Sequence, residues 1–191
     1  MNDAFNKAIK NVMLWEVGPW FDESLPVHKQ RDVKTSAERK ATGYVNDPVD
    51  HGGLTKYGIA QNANPLVNVN NLTYEEAKTI YFNKYWTAVK ADSIPFPLNV
   101  LVFDVAVNSG PGNAIKFLQR ALEVTADGDF GPGTLAALRK SSSVKILCER
   151  YNDQRKRFFN AIVARTPSQG KFLAGWMRRV EWYDAWFKKN L

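Results

Sequence analysis

Three side chains in this sequence could do acid–base chemistry on a sugar. Glu16 closes an amphipathic run, "NDAFNKAIKNVMLWE", while Asp50 and Thr55 sit in a turn-dense stretch, "GYVNDPVDHGGLTKYGIA" (43–60), that packs four glycines into eighteen residues. A carboxyl group at a helix C-terminus beside Trp15 and Trp20 stands at the negative end of the helix dipole. That setting favours the protonated form from which a general acid donates. An acid on one side of a cleft and a carboxylate on the other is the usual equipment for splitting a glycosidic bond, with a hydroxyl such as that of Thr55 holding the attacking water. An ordinary solvent-facing glutamate at a helix end fits the same residues around Glu16.

The neighbours carry paired readings as well. Trp15 and Tyr57 suit sugar-stacking platforms, and aromatics of this kind equally suit a core. Asn108, just before "SGPG", offers an amide to a cleft or a cap to a helix end. Asp47 precedes Pro48 and reads as a turn-maker. The spacing of Asp47 and Asp50 departs from the twelve-residue calcium loop, and no terminal glutamate follows, so no metal or cofactor is expected.

The elements that must position these groups are mostly helical. Phe5, Ile9, Val12 and Met13 recur at helical spacing behind a cap at Asn2 or Asp3, and Gly18-Pro19 ends the run. Residues 19–42 are polar and mixed in charge, which predicts an irregular surface excursion. "LTKYGIA" suits a short strand of a hairpin, and Thr73 with Glu76 has capping-box spacing at the start of the next helix. "PLNVLVFDVAVNSG" is apolar nearly all round and predicts a buried central helix at 97–109, closed by Gly110. Helices follow at "NAIKFLQRALEV" and "GTLAALRK", with "TADGDFGPG" as a fold-specifying turn between them. Two longer helices are expected near 143–165 and 169–188, separated by Pro167. Cys148, the only cysteine, lies on an apolar helix face and reads as an inert buried thiol, so the fold stands on packing alone.

Taken together, Glu16 and the 43–60 stretch resemble the signature of glycoside hydrolase family 108, the phage and bacterial N-acetylmuramidases, with its E-G-G-Y-x-N-x-P-x-D-x-G-G-x-T-x-x-G-I core. "FDVAVNSGPGNAIKFLQRALEVTADGDFGPGTLAAL" and "FLAGWMRRV" are similar to the C-terminal peptidoglycan-binding portion of the same family. The resemblance implies a mainly α, lysozyme-like α+β fold with one small β-hairpin and a helical C-terminal lobe. Residues 1–96 would form the catalytic portion with an insertion at 19–42, and 97–191 the peptidoglycan-binding portion, the two sharing a core. It implies cleavage of the bond between N-acetylmuramic acid and N-acetylglucosamine. Glu16 would protonate the leaving oxygen, Asp50 would orient or deprotonate water, and Thr55 would support that water. The chain departs from the pattern at the glutamate, where it reads "EVG" and interposes residues 19–42 before "GYVND".

Composition narrows the partners. The 191 residues carry 26 Lys and Arg against 19 Asp and Glu, a net charge of +7, which suits attraction to an anionic wall polymer. The basic residues are dispersed, with no zinc spacing and no recognition-helix signature, so nucleic-acid binding is not expected. No secretory segment opens the sequence and no apolar run approaches membrane-spanning length. The expectation is a monomer made in the cytoplasm and released to the periplasmic wall by a pore-forming partner such as a holin. The competing readings are a non-catalytic peptidoglycan-binding protein of the same fold and a lytic transglycosylase.

Overall fold

A computed structural model describes residues 1–47 and 52–191 of the chain. The fold is mainly α with one small hairpin, and the contacts divide it into two units, Met1–Asn83 and Lys84–Leu191.

In the first unit, α1 (Asp3–Glu16) starts where the Asn2 side chain accepts a 2.9 Å hydrogen bond from the Phe5 amide. Its buried stripe is Phe5, Ala8, Ile9, Val12 and Met13, spaced as one helical face requires. The chain leaves the helix at Gly18, whose φ of +103° is open to glycine and strained for other residues. The segment expected to be irregular then contains two short helices, α2 (Val27–Arg31) and α3 (Ser36–Thr42). The reason for α3 is local. Thr35 and Glu38 form a reciprocal capping box, and Gly43 closes the helix in the left-handed region at φ +62°. The reason for α2 is tertiary. Gln30 is buried, its Nε2 donates to the Leu25 carbonyl, and its Oε1 accepts from the Tyr74 amide at 2.8 Å.

Strands β1 (Thr55–Lys56) and β2 (Ile59–Ala60) pair antiparallel with Thr55 opposite Ala60 and Lys56 opposite Ile59. Val45 extends the ladder by exchanging backbone hydrogen bonds with Thr55 at 2.9 and 2.8 Å. The two-residue loop, Tyr57 and Gly58, has φ of +52° and +73°, positive at both positions as a type I′ hairpin turn requires. Lys56 is fully buried, and its Nζ donates to the backbone carbonyls of Gln30 and Asn70. Helix α4 (Tyr74–Tyr81) begins with the expected Thr73–Glu76 capping box and is followed by a π-helical turn over Phe82–Trp86.

The second unit is built on α5 (Leu98–Ser109), α6 (Pro111–Ala121), α7 (Pro132–Lys140), α8 (Val144–Arg165) and α9 (Gly170–Lys188). Helix α5 packs against α6 and α8, and α8 packs against α9. Every residue from Leu98 to Ala106 is buried, as an all-round apolar helix predicts, including two polar ones, Asn99 and Asp104. Asp104 is wholly buried, held by Arg155 Nη2 at 2.7 Å and by Arg179 Nε and Nη2 at 3.0 and 2.7 Å. Burial pushes its carboxyl up, and the guanidiniums of Arg179 and Arg155 outweigh that, holding it below the usual carboxylate range. The "TADGDFGPG" turn is organised by buried Gln119, whose Nε2 donates to Asp127 Oδ1, the Asp129 carbonyl and Thr134 Oγ1, while its Oε1 accepts from the Gly128 amide. Cys148 is buried and its thiol is pushed up to about 12 by that burial, which makes it inert.

Candidate active site

Glu16 is the last residue of α1, half-buried, with Trp15 half-exposed beside it. What meets the glutamate is the hairpin turn. A Cβ built on Gly58 would fall 2.9 Å from Glu16 Cβ, 3.3 Å from Glu16 Cγ and 2.5 Å from Tyr81 Oη. Only a glycine lets the turn approach that closely, and its φ of +73° makes the same demand independently. The turn is pinned from both sides. Tyr81 Oη donates to the Tyr57 carbonyl at 2.9 Å, and the Tyr57 amide donates to the Thr42 carbonyl at 2.7 Å at the end of α3. Val17, the residue after Glu16, lies under Gly43, where an added Cβ would meet its methyl groups at 3.3 Å. The C-terminal ends of α1, α3 and α4 thus converge on one tight turn, and the glutamate sits at that convergence.

Thr55 is half-buried on β1, three residues before Gly58, with its Oγ1 3.4 Å from the Gly53 carbonyl. The structure therefore places Thr55 on the hairpin whose turn meets Glu16. Asp50 lies outside the described residues. Tyr57 corrects the sequence reading. Its ring is 0% exposed, packed edge-on against Phe21 at 6.4 Å and tilted against Tyr74 at 5.8 Å, so it has no face for a sugar. The left-handed turn that brings Gly58 to Glu16 also swings Tyr57 inward, and burial pushes its phenol well up. Asn108 belongs to the second unit, where it is exposed at the end of α5 and its Oδ1 accepts from Ser109 Oγ at 3.1 Å.

Two other glutamates near the "EVG" departure are already engaged. Glu23 accepts a 2.8 Å ion pair from Lys10. Glu38 accepts from the amides of Thr35 and Lys34, both at 2.9 Å, which lowers its pKa and keeps it ionised. Sequence reasoning did not single out Tyr81, whose hydroxyl fixes the turn. Tyr74, Ala77 and Tyr81 share one buried helical face, which marks Tyr81 as buried, yet its partner is a backbone carbonyl that leaves no trace in the sequence.

Residues 38–110 match the family model described as Glycosyl hydrolase 108, and residues 113–181 match the one described as Predicted Peptidoglycan domain. The first match takes in the hairpin and α5 and begins after Glu16. No curated protein matches the chain. Among solved structures, the chain is similar to "Structure of Brucella abortus SagA", with 28% identity over 95% of this chain and 91% of that one, at a TM-score of 0.68. The two matches follow one another along the chain, on a fold shared nearly end to end with a solved structure, and identify a glycosyl hydrolase 108 domain at 38–110 and a peptidoglycan domain at 113–181, the pairing of a peptidoglycan hydrolase.

Proposed function

We propose that the protein is an N-acetylmuramidase that cleaves the β-1,4 bond between N-acetylmuramic acid and N-acetylglucosamine, with Glu16 as the general acid. The observation that carries this reading is the Gly58 turn, seated against Glu16 Cβ and Cγ with no room for a side chain between them. A half-buried carboxyl at a helix C-terminus, with a hairpin turn packed against its Cβ and Cγ, is placed to protonate a leaving oxygen. Glu23 and Glu38 are poor candidates because an ion pair and a capping box already use their carboxylates. Glu16 delivers its proton to the glycosidic oxygen as the bond to the anomeric carbon breaks, and water adds to that carbon. Thr55, on the same hairpin, holds the water, and Asp50 serves as its base. The basic charge draws the enzyme to the anionic wall. Release through a pore-forming partner suits a lysis enzyme, and the same chemistry suits remodelling of the wall.

The test is Glu16→Gln on purified sacculi, with analysis of the reducing ends. Wild type is expected to release muramic acid reducing ends, and the variant to lose activity by at least about a hundredfold, the scale of a general-acid contribution. Equal clearing by both proteins would remove Glu16 from the mechanism, and anhydro-muramyl products would replace hydrolysis with transglycosylation.

A further inference from the structure

Residues 19–42, the segment between Glu16 and the glycine-rich hairpin, build a cavity of their own. The cavity has a volume of about 670 Å³ and is lined by Trp20, Leu25, Lys29, Thr35, Ser36 and Lys40, among others. Trp20 is 67% exposed, the most exposed aromatic residue among the described ones. A ring so large, left so open at the rim of a cavity, is unusual unless something covers it. Lys40 Nζ stands 5.6 Å from its centroid, which fixes the indole from one side.

The cavity lining pairs two lysines with two carboxylates, and the carboxylates are held by local hydrogen bonds. Asp22 turns its carboxylate to the amide and hydroxyl of Ser24 at 2.9 and 2.7 Å, and Glu38 spends its own on the α3 cap. Lys29 acts on Glu38 through its charge alone, and Lys40 stands over the Trp20 ring, so both ammonium groups stay at the cavity with the carboxylates of Asp22 and Glu38 held by other donors. An exposed aromatic ring, two hydroxyls and two ammonium groups at one cavity match the chemistry of an N-acetylated sugar strand that bears carboxylates. The wall of the cavity is also continuous with the catalytic end of the first unit. The Asp22 amide donates to the Ala41 carbonyl at 3.3 Å, and Gly43, the cap of α3, rests on Val17 next to Glu16.

We propose that the 19–42 insertion is an accessory glycan subsite, with Trp20 as the stacking platform for a sugar ring and Lys29 and Lys40 as the cations that receive the strand's lactyl or peptide-stem carboxylates. This rests on the peptidoglycan reading of the same unit, and the experiment separates the two. The Trp20 indole N–H resonance, identified by its loss in Trp20→Phe, is followed during titration with N-acetylchitotetraose and with peptide-free glycan strands. The resonance is expected to shift saturably with both probes. Trp20→Ala should weaken binding of both by about tenfold, the scale of one lost aromatic contact. Lys29→Ala with Lys40→Ala should weaken only the carboxylate-bearing strands. An unmoved Trp20 resonance together with unchanged binding by Trp20→Ala overturns the platform. Unchanged strand affinity in the double lysine variant overturns the cation assignment. A Trp20 shift with no hydrolysis by wild type would sink the catalytic reading and leave the subsite standing, and hydrolysis with no Trp20 shift would do the reverse.

Discussion

Replacing Gly58 by alanine tests whether the hairpin turn sets the position of Glu16. The new methyl would lie 2.5 Å from Tyr81 Oη and 2.9 Å from Glu16 Cβ, so neither neighbour can stay where it is. The backbone at φ +73° adds about 1–2 kcal/mol for a residue with a Cβ. Expelling the tyrosine hydroxyl strands the Tyr57 carbonyl it serves, for about 1–3 kcal/mol more. The sum is about 2–5 kcal/mol, which corresponds to a fall in Tm of roughly 4–20 °C for a chain of this length. Thermal unfolding measures the first part, and turnover on sacculi well below the transition measures the second. Turnover should fall with the displacement of Glu16 even where the variant is fully folded. Tyr81→Phe supplies the control. It removes the hydroxyl from the 2.5 Å contact, so Gly58→Ala in that background should cost less than in wild type, by about 1 kcal/mol or more. A Gly58→Ala protein as stable and active as wild type would refute the account, as would strict additivity with Tyr81→Phe.

Asp104→Asn should destabilise the protein by about 3–5 kcal/mol at neutral pH, because it leaves Arg155 and Arg179 buried without their anion. The Asp104 carboxyl is held below its ordinary range, so its contribution is present above an unfolded pKa of about 3.9 and fades as pH falls through the folded value. Urea titrations should therefore show wild type and Asp104→Asn converging below about pH 4, and a gap that persists at lower pH would contradict the pairing. Lys56 changes stability with the same sign in a higher pH window. Burial, with Arg31 adding to it, brings its ammonium down to about 8 from 10.5. Between those values the unfolded chain keeps a proton that the folded one releases, so the Lys56 contribution to stability rises with pH across that window. Lys56→Met should abolish that rise, and identical pH slopes in the two proteins would show that the ammonium is not desolvated.

Much of this fold was legible because its signals are local. Asn2, Thr73 with Glu76, Gly110 and Pro167 each act on residues within one helical turn, and the helices begin or end at or beside them. The two helices inside 19–42 were harder. Thr35 and Glu38 carry the same box as Thr73 and Glu76, but α2 depends on a Gln30 side chain bonded to Tyr74, 44 residues away. Asp104 was invisible as a buried anion for the same reason, since its partners lie 51 and 75 residues further on. At the site, Glu16 at a helix end and Thr55 on a hairpin follow from the sequence. The inward fate of Tyr57 does not, because its direction is set by a positive φ that a tyrosine seldom adopts.

Lys56 ties the 19–42 segment to the hairpin. Its ammonium donates to the carbonyl of Gln30, a residue of that segment, as well as to that of Asn70. Deleting residues 19–42 would remove Gln30 and leave the Lys56 ammonium, sealed in the floor of the hairpin, without that carbonyl. The segment and the lysine are therefore coupled: a variant that trims the first must also replace the second.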